Sequence, residues 1–518
     1  MPIFNLGALN TSALVAPDVY IQKIPPQTRF INGVPTDILG LVGVGSWGPV
    51  NSAVLAVGDT FGTVTNRKYD LATAISISSQ IGASNVRAVR VTDGTDAAAA
   101  VNVIDVAGTP VTGLVLTAFY TGIIGNGLSY AVATGTKPTT FKLTINRPGY
   151  ASEIYDNIAG SGAAVWTNML AAVNNGQFGI TGPSKLAVAT IGTSTAAPKV
   201  ATSAFSGGLD GASSVVDSTL VGADGVTPSA RTGMYALRGS GAQVANLIDL
   251  TDSTQWATIL TYANSEGAYI PVTGSSGQNY STVSGNLVTA GTDDPGLKVL
   301  VGDWIYWKDN VNGVTRLMSP ATFCAAELAA LAPHLSTLNK PLPAVTGTQR
   351  TSQNQPYSNA EIGAAATARL DVVTNPCPGG SYYGFRTGRN ASSDPSRNGD
   401  NYTRMTNFLA LTFAAAFGFV IGQPQTKNLR RQAKASLDSF LWNLADPTRA
   451  GGPMIGDVNG GPAFSVKIDK SNNPDSQVAL GYMVADVQVK YLSIVWFFVI
   501  NLEGGQSVSV QLVAAQPQ

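Results

Sequence analysis

The sequence contains few of the residues that catalysis, metal binding or a disulfide framework require. Among its 518 residues there are two cysteines, Cys324 and Cys377, and a single histidine, His334. Two cysteines cannot build a disulfide framework, and they fit a reducing compartment. Because these three residues lie far apart in the sequence, they give no zinc-ligand spacing. We expect a protein without a metal or other cofactor.

Charged residues are also scarce. They make up 12% of the chain, which is about half of the usual share. The 31 basic and 31 acidic residues give a net charge of +0, so no overall field draws the protein to nucleic acid or to a membrane surface. A surface with so few charges favours burial against other proteins, although a neutral monomeric globular protein would show the same composition.

Long apolar runs are missing as well. The two longest, residues 408–421 and 492–500, are shorter than the roughly 20 residues that a membrane helix needs. They are interpreted as a buried helix and a buried strand. The N-terminal residues lack a basic stretch followed by an apolar run, which predicts no signal peptide. We expect a protein that is made and kept in a cytoplasm and is not inserted into a membrane.

The pattern of apolar residues predicts a multidomain chain of α/β and α+β type. Residues 38–45 form a continuous apolar run typical of a strand covered on both faces, with a helix at 71–82 and a strand at 86–91 after it. Between residues 105 and 211, short β-rich runs alternate with Gly, Pro and Asn turns, which predicts an inserted β-sandwich with one helix at 163–174.

The middle of the chain, residues 212–375, returns to an α/β pattern. Residues 256–266 and 320–331 are predicted helices, and residues 235–237 are interpreted as the end of a strand. Residues 274–294 are rich in Gly, Ser, Thr and Asn, so we expect an exposed loop or insertion there.

The last large region, residues 376–503, predicts two helices and a small sheet. Residues 402–422 are apolar throughout their second half, which favours a helix buried on most sides. Thr426 is expected to cap a second helix. Residues 464–468 and 487–491 alternate between apolar and polar side chains, as strands do.

Both ends of the chain contain strand-like segments without a partner nearby in the sequence. An isolated strand must pair to be stable, and a strand can pair with the edge of a neighbouring subunit's sheet. We therefore expect two linking arms, residues 1–25 and 504–518, that pair between subunits. The residues assigned to these arm strands are Val19, Tyr20, Ile21, Ile24, Val508, Val510 and Leu512.

Two patterns suggest chemistry, but their surroundings do not support it. Residues 43–48 read GVGSWG after a predicted strand, which matches a dinucleotide-binding fingerprint. That fingerprint needs a helix to begin at its third glycine, whereas PVNS follows, and Trp47 would crowd the phosphates. A catalytic triad would require His334, and no Gly-x-Ser-x-Gly elbow is present. We expect no catalytic residues.

The sequence contains one basic cluster, formed by Lys427, Arg430, Arg431 and Lys434. Spacings of three and four residues place them broadly on one side of the second C-terminal helix. A solvated helix face and a docking site for an acidic protein surface explain the cluster about equally well. Nucleic-acid binding would require interleaved aromatic residues and a basic domain, and neither is present.

The first part of the chain resembles the tail sheath proteins of contractile bacteriophages. PDVYIQKIP at residues 17–25 resembles the PGVYVEEIP start of that family, with Asp18 in place of the usual glycine. TDILGLVGVGSWGP at residues 36–49 is similar to the family's TSVAAFVGxAxxGP. This similarity gives the glycine pattern at residues 43–48 a structural explanation.

Further motifs follow in the order that the family shows. AFYTGIIGNGLSY at residues 118–130 is similar to AxYPGxxGNxLxV at the entrance of the family's β-sandwich, and GGLDG at 207–211 matches the GGxDG that closes it. Residues 375–404 resemble the G…WGARTL…YVxxRR region more loosely, with Phe385 where Trp-Gly-Ala is common.

The resemblance implies a structural protein and not an enzyme. In the family, subunits stack as rings in a helical array around a tail tube. The array assembles in an extended state in the host cytoplasm, and its contraction drives the tube through the host envelope for genome ejection. The expected partners are further copies of the chain, the tail tube protein, and the baseplate and tail terminator proteins. The expected location is the virion.

The resemblance also assigns the remaining domains. It implies an N-terminal part of the α/β core at residues 26–104, a subtilisin-like domain without protease activity at residues 212–375 and a C-terminal sheath domain at residues 376–503. Within this part of the chain, the basic cluster becomes a candidate docking site for the tube.

Three alternatives remain open at this stage. The chain could be the sheath of a related injection machine, such as an R-type bacteriocin or a secretion system, because the physics would be shared. It could be a hydrolase that uses the subtilisin-like domain. A bacterial surface-layer protein fits the composition, but such a protein should carry a signal peptide.

Deleting residues 507–518 is expected to leave a folded chain that no longer polymerises, because the deletion removes the alternating strand that would pair with a neighbour. Sedimentation of the purified deletion variant checks this. Intact sheaths or polysheaths from that variant would contradict the arm hypothesis.

Overall fold

The computed structural model of the protein describes residues 3–6, 20–23, 31–63, 65 and 67–502. It shows a mixed α/β chain with several separate sheets, as the sequence predicts. Near its start, β1 (Ile3–Leu6) and β2 (Tyr20–Lys23) pair in parallel with each other. They form a two-stranded sheet of their own.

The first half of the chain consists of an α/β unit followed by an antiparallel insertion. The α/β unit contributes β3 (Ile38–Gly43), β4 (Val54–Leu55), α1 (Leu71–Ile81) and β5 (Asn85–Arg90). The insertion contains β6 (Ala100–Ile104), β7 (Thr112–Ala118), β8 (Ser129–Thr134), β9 (Phe141–Asn146), β10 (Glu153–Ile158), α2 (Ala163–Asn175), β11 (Ala187–Ile191) and β12 (Ala201–Ala204).

The second half returns to an α/β pattern and ends in a helical part with a small sheet. Its first elements are α3 (Asp217–Val221), β13 (Val244–Leu247), α4 (Trp256–Glu266), β14 (Ile270–Thr273), α5 (Tyr280–Thr289), β15 (Leu297–Leu300), β16 (Ile305–Asp309), β17 (Val314–Met318) and α6 (Pro320–Ala330). Those that follow are β18 (Val345–Thr348), α7 (Gln349–Ser352), α8 (Asn359–Thr367), β19 (Leu370–Asp371), β20 (Val373–Thr374) and β21 (Gly384–Phe385). The last are α9 (Asp400–Ala416), α10 (Lys427–Ala445), β22 (Phe464–Lys467), α11 (Asp475–Ala479) and β23 (Asp486–Val489).

A parallel array of strands from both halves forms the centre of the molecule. Strands β13, β3 and β5 lie side by side in parallel, and β14, β15 and β19 form a second parallel group. The two groups meet where Val244 forms a bridge pair with Tyr269, and the Tyr269 N–H donates to the Gln243 carbonyl at 2.9 Å. The chain order along this array reverses between β3 and β13, which is the switch point of a doubly wound sheet.

Helices cover both faces of the array. Leu41 of β3 packs in the cluster of α1 and α6, whereas its neighbour Val42 packs in the cluster that includes α4, α5 and α8. All six residues of β3 are buried. This explains the continuous apolar run, because alternate side chains of the strand enter two different cores.

The antiparallel insertion has a core of its own. Sheet β10–β9–β8–β12 and sheet β11–β7–β6 enclose one cluster of buried side chains together with α2. Trp166 of α2 lies over Gly113 of β7 so closely that a Cβ atom at Gly113 would come within 2.1 Å of the indole ring. The two elements therefore pack together only with glycine at this position.

Arg90 joins the insertion to the α/β unit. Its buried guanidinium donates to the carbonyls of Gly48, Thr121 and Asp210 at 3.0, 2.6 and 3.0 Å. Arg67 adds a 2.6 Å ion pair with the Asp210 carboxylate. The β7–β8 loop and the chain that leaves the insertion are thus fixed to the loop after β3, because buried carbonyls need a donor.

Helices α9 and α10 form the C-terminal core with the β22–β23 sheet. In the described part of the chain, the helical stretch Asp400–Val420 is long and apolar enough to cross a membrane by length and composition alone. It exceeds the length expected from residues 408–421 because the helix begins at the buried polar residues Asp400 and Arg404, which contact the α/β core. These contacts bury the first half of the helix. Its apolar second half is mostly half-buried or exposed, so the prediction of a helix buried on most sides is wrong for residues 410–422.

Two predictions for the middle of the chain are wrong. Residues 235–237 are not the end of a strand, because Gly233–Leu237 forms a 3-10 helix. The segment 274–294 is not a loop throughout, because it contains α5, capped by the Asn279 side chain. Val283 and Leu287 of α5 are buried against the array, so two apolar side chains outweigh a Ser, Thr and Asn-rich sequence with low helix propensity.

Asp249 lies just after β13, at the switch point of the array. It is buried, adopts a left-handed φ of 53° and accepts the Tyr69 N–H at 3.2 Å. Burial raises the pKa of Asp249 to about 6. At pH values between about 3.9, the ordinary pKa of aspartate, and about 6, Asp249 is ionised in the unfolded chain but stays protonated in the native chain.

The contribution of Asp249 to the stability of the wild-type protein should therefore fall as the pH rises from about 4 to 6. The variant Asp249→Asn keeps the acceptor oxygen, tolerates positive φ and does not ionise. Its stability relative to wild type should rise by roughly 2 kcal/mol over that interval. Urea unfolding at a series of pH values measures the difference. A difference that stays constant from pH 4 to 7 would contradict the assignment.

Candidate functional site

The residues that could support catalysis are not assembled into a site. His334 lies in the loop after α6, and its Nδ1 has no hydrogen-bond partner within the described chain. Burial and the neighbouring cations Arg449 and Arg404 lower the pKa of His334. The groups that shift the pKa of His334 therefore include no carboxylate, so the Asp of a catalytic triad is not in place.

The cysteines form no metal or redox site. Cys324 and Cys377 are both buried and free, and burial raises the pKa of each thiol. A buried thiol with a raised pKa is a poor nucleophile and metal ligand. Across residues 31–502, as far as they are described, no group of three or more His, Cys, Asp or Glu side chains could hold a metal ion.

The glycine loop at residues 43–48 is filled by its own chain. The Ser46 N–H donates to the Phe61 carbonyl at 3.0 Å, Arg90 binds the Gly48 carbonyl, and Trp47 is buried. The next helix, α1, begins only at Leu71. The loop therefore presents no helix N-terminus to a phosphate, which is what nucleotide binding requires.

A buried polar cluster, here called the Lys298 cluster, fastens α9 to the central array. Lys298 of β15 contacts Asp371 of β19 at 2.8 Å and Asp400 of α9 at 2.9 Å, and all three side chains are fully buried. Tyr269 donates to Asp400 at 2.7 Å, and so does Thr337. No local pattern in the sequence predicts this cluster, because its residues lie far apart along the chain.

The charges in the Lys298 cluster stabilise one another. Burial by itself would lower the pKa of Lys298, but the two carboxylates outweigh burial and raise it well above its usual value. Burial likewise opposes ionisation of Asp400, but Lys298 and the hydroxyl donors lower its pKa. Removing one member of such a buried set leaves an uncompensated charge, which costs about 3–5 kcal/mol.

The N-terminal arm strand is present, and it has a partner within its own chain. Tyr20 and Ile21 lie in β2 and pair with Ile3 and Phe4 of β1. Strand β1 is not among the predicted elements, although its sequence IFNL contains strand-forming residues. Val19 and Ile24, which were assigned to the same arm, lie outside the described residues. Pairing of this arm with a neighbouring subunit remains a prediction.

The C-terminal arm residues Val508, Val510 and Leu512 also lie outside the described residues, but the segment leading to them is described. The buried strand predicted at 492–500 is wrong. The segment forms no strand, and most of its apolar side chains face solvent, because no sheet edge or helix of the described chain covers them. The most exposed are Val495, Phe497, Phe498, Val499, Ile500 and Leu502, at 71% to 90% of their full accessibility. We call residues 495–502 the exposed apolar segment.

The small sheet of the C-terminal part has open edges. Strand β22 pairs with β23 from Phe464–Val489 to Lys467–Asp486, and no other strand of the described chain joins these residues. Just beyond β23 the edge is covered, because Tyr491 forms a single bridge pair with Ile455 and the Gly456 N–H donates to the Lys490 carbonyl at 2.9 Å. Helix α10 packs against this sheet, with Val466 in the shared core. Two strands alone are marginally stable, and their free N–H and C=O groups can take further strands.

The basic cluster lies on the first half of α10, as predicted, but its members differ in exposure. Lys427 and Arg431 are exposed and form no ion pair within the described residues, whereas Lys434 pairs with Asp438 at 2.8 Å. Arg430 is half-buried at the edge of the apolar face. The outward stripe is therefore Lys427, Arg431 and Lys434, at spacings of four and three residues.

No protein-family model and no curated protein matches the chain. Solved structures do. A sheath tail protein from Desulfitobacterium hafniense is similar with a TM-score of 0.55 and 17% identity over 87% of this chain and 93% of that one. A sheath tail protein from Listeria innocua gives 0.57 and 11% over 86% and 90%. The helical sheath of the anti-feeding prophage in its contracted state gives 0.54 and 9% over 95% and 99%.

These similarities extend over nearly the whole of each chain, so they concern the complete arrangement of elements and not one common domain. They confirm, at the level of the fold, the resemblance first seen in the sequence motifs. The chain has the fold of the sheath proteins of contractile tails.

Proposed function

We propose that the protein is the structural subunit of a contractile sheath, which polymerises helically around a tube and has no enzymatic activity. The observation that carries this proposal is the exposed apolar segment on a chain with a sheath fold. Six large apolar side chains in water are a liability for a monomer. Burying each one against a neighbour stabilises the assembly by about 1.5–3 kcal/mol.

The open edges of the β22–β23 sheet supply the other half of the contact. We infer that arm strands from neighbouring subunits add to these edges, with main-chain hydrogen bonds for affinity and alternate side chains for register. Such a link is heterologous, because an arm joins a different surface of the next copy. Heterologous contacts that do not close generate helical polymers.

Contraction follows from the same contacts. The arms keep subunits attached while the bodies reorient, and a contracted lattice that buries more apolar area is favoured by roughly 25 cal/mol per Å². Small gains then add up over many subunits. The low charge content suits this change, since few charged groups lose their hydration when the lattice compacts.

Within this function we propose a bacteriophage tail, with the virion as location and the tube, baseplate and terminator proteins as partners. The motif series from residue 17 to 404 supports this choice. On the same basis we propose that residues 212–375 are the subtilisin-like domain. The sheath of another contractile injection device is the second candidate, because the contracted sheath of an extracellular contractile injection system is among the similar solved structures. A tail-tube, baseplate and capsid gene neighbourhood distinguishes the two.

Negative-stain microscopy of the purified protein tests the proposed function, with tubes or cogwheel-like cross-sections as the expected result. In the variant Phe497→Ser with Phe498→Ser, we expect an unchanged melting temperature and loss of tubes. The reason is that both rings are 82% exposed and contribute little to the fold of a single chain.

Phe178→Ser is the matched control, because this phenylalanine is fully exposed on the antiparallel insertion, away from the C-terminal segment. The control should form tubes like the wild type. A compact wild-type monomer at high concentration, without any polymer, would overturn the proposed function. Normal tubes from the double variant would overturn the role of the exposed apolar segment.

The stripe on α10 is proposed to dock on an acidic tube surface before contraction. Charge reversal of Lys427, Arg431 and Lys434 to Glu should reduce co-assembly of sheath and tube, most strongly at low salt. Co-sedimentation with purified tube across a salt series measures this. Reversal of Lys137, Lys185 and Lys199, which are exposed on the insertion, gives the same change in net charge as a control. Equal co-assembly of both triple variants would indicate a merely solvated helix face.

A further inference from the structure

The chain that follows the N-terminal arm is attached to one stripe of α9. We call residues 31–36 the N-terminal root. The Val34 N–H donates to the Thr412 hydroxyl at 3.2 Å, and Arg404 donates to the Thr36 carbonyl at 3.1 Å. Gly33 lies against Phe408, where a Cβ atom would come within 2.8 Å of the ring. Residues 404, 408 and 412 are four apart and therefore share one side of the helix.

The chain that leads to the C-terminal arm is attached to the first two turns of the same helix, partly on the same side and partly on the neighbouring one. We call residues 491–496 the C-terminal root. Asn401 donates to the Leu492 carbonyl at 3.1 Å, and Thr406 bonds the Tyr491 hydroxyl at 3.1 Å. The Tyr402 ring stacks on that of Tyr491, with centroids 6.2 Å apart.

Helix α9 is in turn fastened to the α/β core at its first two turns. Asp400 enters the Lys298 cluster, and Arg404 donates to the carbonyls of Leu331 and Ala332 at 2.8 and 3.2 Å. The C-terminal root reaches the cluster by a second route as well. The Trp496 indole donates to the Thr387 carbonyl, and the Thr387 N–H donates to Asp371.

We propose that α9 is a common anchor for both arms and couples them through the Lys298 cluster. This inference rests on the proposed function, since it assigns a mechanical role to the base of each arm. A force applied to either arm acts on the same helix, and the helix transmits that force to the Lys298 cluster in the core. The two arms are therefore not independent hinges, and a loosened anchor frees both roots together.

Hydrogen exchange of the unassembled full-length protein, followed by mass spectrometry, tests the coupling. Thr412→Val removes the acceptor of the Val34 N–H and should accelerate exchange at the N-terminal root alone, by roughly two- to tenfold. Thr406→Val should accelerate exchange only at the C-terminal root. The variants Thr412→Ser and Thr406→Ser keep the hydroxyl and should restore slow exchange.

Tyr269→Phe provides the decisive measurement. It removes a donor to Asp400 and should accelerate exchange at both roots, on the order of tenfold, while β7 stays unchanged as an internal reference. Acceleration at one root or at neither overturns the proposal. If β7 also exchanges faster, Thr337→Val, which removes another donor to the same carboxylate, is judged by the same criterion.

The outcome is separate from that of the proposed function, because exchange is measured before assembly. If the wild-type chain forms tubes but the Tyr269→Phe variant does not accelerate exchange at both roots, the sheath function is supported and the common anchor is refuted. A chain with coupled roots that forms no tubes keeps the anchor and loses the sheath function.

Discussion

The contact of Lys298 with Asp371 and Asp400 is the constraint on which the arrangement of the C-terminal half depends. Taking three charges out of water costs several kcal/mol per ion, so the site is tolerated only because every charge is hydrogen-bonded. Asp371 accepts backbone N–H groups from the loop after β21, and Asp400 accepts hydroxyl donors from two other segments. Six segments of the chain therefore have to meet in one geometry, and α9 has one place to dock.

The docking of α9 gives a folded body that leaves apolar and hydrogen-bonding surfaces uncovered near the ends of the chain. The N- and C-terminal roots lie on α9, while the exposed apolar segment and the open sheet edges lie where the fold provides no further cover. A monomer that exposed such surfaces to water would be prone to aggregation. In the helical polymer that we propose, the same surfaces would become specific, because each would be completed by a defined part of the next copy.

Local patterns predicted the regular elements well. Helices α4 and α6 begin and end within a residue of the predicted limits, and Thr426 caps α10 as its sequence indicates. Strand β3 is buried on both faces, as its apolar run predicts. The misses have a common origin. Helix α5 forms against its local propensity because tertiary burial of two side chains outweighs it. Residues 492–500 resemble a buried strand in sequence because the pattern shows only that the side chains are apolar. It does not show whether another element covers them.

The amino-acid sequence by itself determined the class of the protein: scarce charge, one histidine, two separated cysteines and an ordered series of motifs that resembles contractile sheath subunits. Tertiary structure alone decided where the functional contacts lie. The Lys298 cluster joins residues as far apart as Tyr269 and Asp400, which are separated by 131 positions. Residues 495–502 are exposed because no other element of the described chain covers them. Composition and periodicity act over a few turns of chain, whereas burial and ion pairing are set by which distant segments come together.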